Sequence, residues 1–210
     1  MSNMTKVTAS DSREALRNDY IELISAFNPE IVEIKRLDAP EGSMCLLAVR
    51  VKAPSYIVTS TSDTTPKLCN ELTFYVDVKH GYPIDKPHVY FEVDSRLASI
   101  NTFSDGTECI DIWDPASSSL ITCIEKTVRD VIHDPSVSNY ESMAYSAFEN
   151  WQKDMTARGE LPTINPALIL ADSESVRRKN MAMPVVKVHK VPVTVMPTAS
   201  TRGLPTISRC

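Results

Sequence analysis

Ser99-Ile100-Asn101-Thr102-Phe103-Ser104-Asp105-Gly106-Thr107-Glu108-Cys109-Ile110-Asp111-Ile112-Trp113-Asp114-Pro115-Ala116 is the stretch on which the reading of the whole chain turns. Asp105-Gly106 is a tight-turn dipeptide, because glycine accepts backbone angles that other residues avoid. A turn just upstream of Cys109 presents its thiol at a surface. Taken without its neighbours, Cys109 would be a small buried hydrophobe, as cysteines outside disulfides usually are. The neighbours change that reading. A carboxamide, Asn101, stands eight residues before the cysteine, and a small polar run, Ala116-Ser117-Ser118-Ser119, follows it.

The bulk numbers bound what such a site can serve. The 210 residues are 42% hydrophobic, enough for one domain with a real core plus an extension. A formal net charge of -5 argues against a nucleic-acid-binding protein. The five cysteines (Cys45, Cys69, Cys109, Cys123, Cys210) include no Cys-x-x-Cys pair, and the four histidines are scattered, so no metal site is expected. The first residues lack the apolar run of a signal peptide, and no run reaches membrane-spanning length. A cytoplasmic or nuclear placement with reduced thiols follows, with no membrane partner.

Outward from the cysteine, periodicity assigns the elements. Residues 1–10 read as a loose arm. Asp11 or Ser12 then caps a helix to Phe27, whose apolar stripe is Leu16, Tyr20, Leu23, Ile24 and Phe27. Arg13, Glu14, Arg17 and Asn18 are left for solvent or a docking partner. Asn28-Pro29 ends the helix. Strands are expected at Ile31–Ile34, Met44–Val51, Glu71–Val78 and Val89–Val93, with residues 55–66 as a polar loop. His80-Gly81-Tyr82-Pro83-Ile84-Asp85-Lys86-Pro87 is a proline-stiffened loop between the last two strands. After the cysteine the period becomes helical: Leu120, Ile121, Ile124, Val128, Val131 and Ile132 share a face, with Cys123 packed in the core, and His133-Asp134-Pro135 ends the helix. A last helix is expected from Tyr140 to Met155. Helix, strands, then helices make an α+β domain built on a meander sheet.

From about residue 157 the composition shifts. Residues 158–210 contain six prolines and no aromatic residue, and carry +5, against -10 for residues 1–157. So few bulky residues predict a mostly disordered tail over 157–210. A short helix is possible between Ala167 and Lys179, and Arg177-Arg178-Lys179 is a basic cluster suited to solvent or to an acidic partner.

The order of these signals resembles the ubiquitin-conjugating enzymes over residues 11–156. The resemblance is carried by Tyr82-Pro83 and Pro87 before His88-Val89-Tyr90-Phe91, by Asn101, by Asp105-Gly106-x-x-Cys109-Ile110-Asp111-Ile112, by Trp113-Asp114-Pro115-Ala116, and by Asn139-Tyr140-Glu141-Ser142-Met143-Ala144. Two departures stand out. Ser99-Ile100 replaces the His-Pro of the family's His-Pro-Asn motif, although Asn101 keeps its eight-residue offset. Trp113 also follows Cys109 more closely than the family pattern has it.

The resemblance implies the ubiquitin-conjugating fold: an N-terminal helix, a four-stranded antiparallel meander and C-terminal helices. It also implies that Cys109 accepts ubiquitin, or a ubiquitin-like modifier, as a thioester and passes it to a substrate lysine. Asn101 would stabilise the oxyanion or hold the loop beside it. Asn139, Asp111 and Asp114 are candidates for orienting the lysine. Arg13 and Arg17 would face the activating enzyme, and Ile84, Pro115 and Ala116 a ligase. No cofactor is bound by such an enzyme, since ATP is used by its activating partner. The partners implied are the modifier, the activating enzyme, a ligase and a protein substrate. The alternatives are a catalytically inactive variant of the family that binds ubiquitin or a partner, an RWD-type interaction domain, and an enzyme for a different modifier.

Overall fold

Strict alternation in two segments builds the centre of the molecule. In a computed structural model, which describes residues 9–110, 113–162 and 164–171, strand β2 (Ser43–Val51) buries Cys45, Leu47, Val49 and Val51. Strand β5 (Leu72–Lys79) buries Leu72, Phe74, Val76 and Val78. The two pair antiparallel, with Val49 opposite Phe74 and Leu47 opposite Val76, so both apolar rows fall on one face. β1 (Val32–Leu37) and β6 (His88–Phe91) complete an antiparallel sheet ordered β1-β2-β5-β6. Helices α1 (Ala9–Ala26) and α2 (Leu120–Val131) cover that face with Leu23 from α1 and Leu120, Ile124 and Val128 from α2, joined by Phe27 just beyond α1. Full burial of such a side chain contributes about 1.5–3 kcal/mol. The N-terminal helix, four-stranded antiparallel meander and C-terminal helices of the expected α+β class are all present.

Several details differ from the sequence reading. Residues 55–66 are not simply a polar loop. β3 (Ser55–Val58) pairs with β4 (Lys67–Cys69) on one side and β7 (Arg96–Leu97) on the other, forming a second, separate three-stranded sheet. Polar composition hid the strand, because Ser55 is buried by donating its hydroxyl to the Val131 carbonyl at 2.7 Å. On α1, Ile24 lies off the buried stripe and is 63% exposed, while Ser12 is buried within the helix rather than capping it.

The last helix is also shorter at its start. It is α3 (Glu149–Arg158), preceded by a 3-10 turn at Ser146–Phe148, so residues 140–145 are not helical. There the backbone N–H groups of Ala144 and Tyr145 both donate to the Ile100 carbonyl, and the Asn139 side chain accepts from the N–H groups of Glu141 and Ser142. These bonds compete with the helical ladder and win. Finally, ordered structure continues past residue 156. Asn28 N–H donates to the Ile169 carbonyl, Ala171 N–H donates to the Ala26 carbonyl, and Ile169 is fully buried. The segment satisfies backbone groups that the end of α1 leaves open. The short helix expected from Ala167 is a single 3-10 turn, Pro166–Leu168. Arg177-Arg178-Lys179 and the rest of the tail, like residues 1–8 of the expected arm, lie outside the described residues. Among the described residues no helix is long and apolar enough to cross a membrane.

At the end of α2 the chain reverses at His133, whose φ is 53°. Its ring is buried against Tyr56 and Trp151, and Nε2 accepts from the Tyr56 N–H at 3.4 Å. Burial pushes the imidazole pKa down to about 4. Between about pH 4 and the ordinary histidine value, the unfolded chain therefore binds a proton that the folded chain refuses, so this group adds stability as pH rises through that window. His133→Asn suits the left-handed backbone angle. The difference in unfolding free energy between wild type and His133→Asn, measured by urea titration at successive pH values, is expected to grow by a few kcal/mol from pH 4 to about pH 6.5. A difference that stays flat across that range would contradict this placement of the ring.

Candidate active site

The segment before Cys109 is a hairpin. Phe103 N–H donates to the Thr107 carbonyl and Gly106 N–H to the Phe103 carbonyl. Gly106 has φ +91°, and a Cβ there would stand 2.4 Å from the Phe91 carbonyl oxygen, so the turn requires glycine. The returning strand is laid along β6: Phe91 N–H donates to the Gly106 carbonyl and Glu108 N–H to the Val89 carbonyl. Cys109 emerges half-buried at the end of this pairing. Its N–H donates to the Asn101 carbonyl at 2.8 Å, and its carbonyl accepts from Lys126 Nζ at 2.9 Å. Both polar groups of its peptide are thus fixed, one by the hairpin and one by α2.

Asn101 is 3% exposed. Its Nδ2 donates to Asp130 Oδ1 at 3.0 Å and to the Val137 carbonyl at 3.1 Å, so both amide hydrogens are engaged in holding α2 and the turn after it. Ser99 also donates to Asp130 Oδ1, at 2.8 Å, and accepts from the Asn101 N–H. Ile100 is fully buried beside Val58, Ala98 and Phe148. Positions 99 and 100 are thus filled by one residue that binds the carboxamide's own partner and one that packs in a core.

The other sequence-predicted residues fall in three places. Asn139 lies two residues beyond the Val137 carbonyl that Asn101 holds, with its side-chain oxygen turned to its own loop. Asp114 likewise accepts from the Ser117 hydroxyl and the Ala116 N–H, and these bonds hold its carboxyl below its usual range. Asp111 lies outside the described residues. Ile84, Pro115 and Ala116 are exposed on two loops that are fastened together, since Trp113 Nε1 donates to the Pro83 carbonyl at 2.7 Å. Arg13 and Arg17 stand on α1. They line a separate cleft of about 350 Å³ with Leu16, Tyr20, Arg36 and His80, and no acidic side chain lines it.

One tie joins these parts. The buried Tyr82 hydroxyl donates to Asp19 of α1, and the same carboxylate oxygen accepts the Leu120 N–H at the start of α2 at 3.1 Å. Burial and the Asp19 carboxylate both push the phenol pKa up. Ser119 and Thr122 close the rest of that helix end as a capping box.

Sequence reasoning missed Glu108 and Asp130. Both are buried, 4% and 1% exposed, directly behind Cys109 and Asn101. The available signal was the helical spacing of Cys123, Thr127 and Asp130, a second buried face of α2 beside the apolar one. Cys123 itself is buried, and burial pushes its thiol pKa up to about 12. Among the described residues no three His, Cys, Asp or Glu side chains are grouped to hold a metal ion.

Among solved structures, the chain is similar to Ubc12 of Saccharomyces cerevisiae, at 18% identity, over 89% of this chain and 85% of that one, with a TM-score of 0.49. It is also similar to the UEV domain of yeast Vps23, solved in complex with a Vps27 PSDP peptide, at 14% identity over 59% of this chain and 91% of that one, with a TM-score of 0.29. No family model matches the chain. No curated protein matches it either.

Asp19→Ala removes the acceptor of two buried or half-buried donors at once. We expect a loss of about 2–4 kcal/mol in urea unfolding, with Asp19→Asn recovering part of it. A loss below about 0.5 kcal/mol, the level of an ordinary surface change, would contradict the role given to Asp19.

Proposed function

We propose that the chain is a ubiquitin-conjugating enzyme, for ubiquitin or a ubiquitin-like modifier, with Cys109 as its thioester-forming nucleophile. The observation that carries this reading is the position of Cys109: half-buried, at the end of an Asp-Gly hairpin, with its N–H on the Asn101 carbonyl and its C=O on Lys126. A structural cysteine has no need of such a mounting, whereas a nucleophile must be held at a fixed place on a surface.

In this reading the Cys109 thiolate attacks the modifier's C-terminal carbonyl, carried by the activating enzyme, and displaces that enzyme's leaving group. The Lys126 ammonium donates to the carbonyl of Cys109 itself and holds that residue against α2. A substrate amine then attacks the thioester carbonyl. The C–N bond forms, the C–S bond breaks and the thiolate leaves. Asn101 acts as a positioning residue, since both of its amide hydrogens are engaged. Asn139 belongs to the loop that Ile100 holds against the site. Asp111 and Asp114, close after the cysteine in sequence, are the other candidates for orienting the incoming amine.

ATP is consumed by the activating partner, not by this chain. The basic cleft of Arg13, Arg17, Arg36 and His80 suits an acidic face of that partner. The coupled loops of Ile84 and Pro115-Ala116 suit a ligase. Cytoplasm or nucleus is the proposed compartment. The alternative, an inactive variant that binds ubiquitin or a partner, draws on the same departure at Ser99-Ile100, but it gives no reason for the mounted thiol.

The test is incubation with activating enzyme, ATP and ubiquitin or a ubiquitin-like modifier, followed by a gel without reductant. Wild type is expected to shift by one modifier in a band that dithiothreitol removes. Cys109→Ala should give none, and Cys109→Ser a reductant-stable ester. No shift with any modifier would refute the enzyme reading. Asn101→Ala is expected to charge but to discharge to free lysine more slowly. It should also lose about 1–3 kcal/mol of stability, because the Val137 carbonyl and Asp130 each lose a donor. Discharge at the wild-type rate would remove the positioning role.

A further inference from the structure

Directly behind Cys109 and Asn101, two acids are buried against each other. Asp130 Oδ1 accepts from Ser99 Oγ and Asn101 Nδ2, and Glu108 Oε2 accepts from Thr102 Oγ1 at 2.9 Å. The other oxygen of each, Asp130 Oδ2 and Glu108 Oε1, is fully buried and accepts no hydrogen bond from any described donor. The two carboxyls are within hydrogen-bonding range of each other. Two buried carboxylates in contact repel strongly, and an unbonded buried oxygen is costly. One proton between those oxygens removes both costs.

Glu108 is the residue that keeps it. Asp130 receives two side-chain donors, Ser99 and Asn101, which favour its charged form, whereas Glu108 receives one, from Thr102, and burial followed by the Asp130 charge pushes its pKa well above the carboxylate range. The charged and titratable groups near the pair are Lys126, from one turn earlier on α2, and the Cys123 thiol, whose ionisation a charged Glu108 would disfavour. From the 99–102 segment only the neutral Ser99, Asn101 and Thr102 reach it.

We propose that Glu108 and Asp130 share one proton in a carboxyl–carboxylate bridge, and that this bridge is the clamp fixing Cys109 and Asn101 in their relative positions. Glu108 is the residue immediately before the thiol, and Asp130 holds the carboxamide, so the bridge spans the two functional residues from behind. It also takes over the work of the missing His-Pro: Ser99 binds the same Asp130 oxygen as Asn101. Loss of the proton would place two negative charges side by side and push Glu108, with Cys109, away from α2. Both acids are positioning residues, and their role in transfer rests on the thioester reading above.

The bridge is tested first without any modifier, on the whole protein labelled with carbon-13 at the Asp and Glu carboxyls. One carboxyl signal is expected to stay in its protonated position at neutral pH and to vanish in Glu108→Gln, whose amide donates to Asp130 as the proton does. Full ionisation of every carboxyl below neutral pH would overturn the proposal. The clamp is then read from thioester discharge to free lysine. Glu108→Gln should remain within about twofold of wild type, while Glu108→Ala slows by about tenfold at an unchanged half-saturating lysine concentration. Glu108→Ala at the wild-type rate, or Glu108→Gln as slow as Glu108→Ala, would overturn the clamp. If wild type forms no thioester, the enzyme reading fails separately. The same ranking of variants is then read from the rate of Cys109 alkylation by iodoacetamide, where equal rates would overturn the clamp.

Discussion

One carboxylate oxygen, Asp130 Oδ1, receives both the Ser99 hydroxyl and the Asn101 carboxamide, and the arrangement of the candidate site depends on it. Without that acceptor, α2, the 99–102 segment and the turn at Val137 would have no common point. Asn101 passes the constraint in two directions. Its side chain reaches the Val137 carbonyl, and its own carbonyl receives the Cys109 N–H. A polar group so deeply buried is costly unless every partner is present, which is why such networks specify one arrangement rather than several. The thiol is positioned through the backbone of Cys109, whose N–H and carbonyl are both held.

Around that point the rest of the fold acts as a frame. Asp19 ties the proline loop to the start of α2, and Trp113 ties the same loop to the segment after the cysteine. Arg96, fully buried, sits against the rings of Tyr145 and Phe148, which also touch each other, and donates to the Phe103 carbonyl, so the hairpin before Cys109 is braced by the 3-10 turn ahead of α3. The cost of burying that guanidinium is offset by its ring contacts and its bonds to carbonyl oxygens. The proline loop is thereby fastened to the segment after the cysteine, and the hairpin before it to residues 145–148.

The main sheet and the two helices that cover it were legible because their burial is periodic: every second residue in β2 and β5, and a stripe at helical spacing in α2. The Asp-Gly turn before Cys109 was legible because glycine there is a steric necessity. The parts that escaped are those where a polar side chain replaces a regular pattern. Ser55 enters a buried strand by bonding to Val131, and residues 140–145 give up helical bonds for the Ile100 carbonyl. Glu108 and Asp130 carry charged side chains that composition assigns to solvent, and only their three-dimensional contact makes burial tolerable. Ser99 could be recognised as a departure from a motif, but its compensation by Asp130, 31 residues away, has no local signature.

The central claim is that Cys109 is a nucleophile that carries a modifier. It is tested most directly by intact-mass spectrometry of the full chain after incubation with activating enzyme, ATP and modifier, followed by peptide mapping without reductant. The account predicts a gain of one modifier less one water, localised to the peptide that contains Cys109 and lost on treatment with hydroxylamine. An unmodified mass, or a modifier joined elsewhere through a bond that survives hydroxylamine, would contradict it.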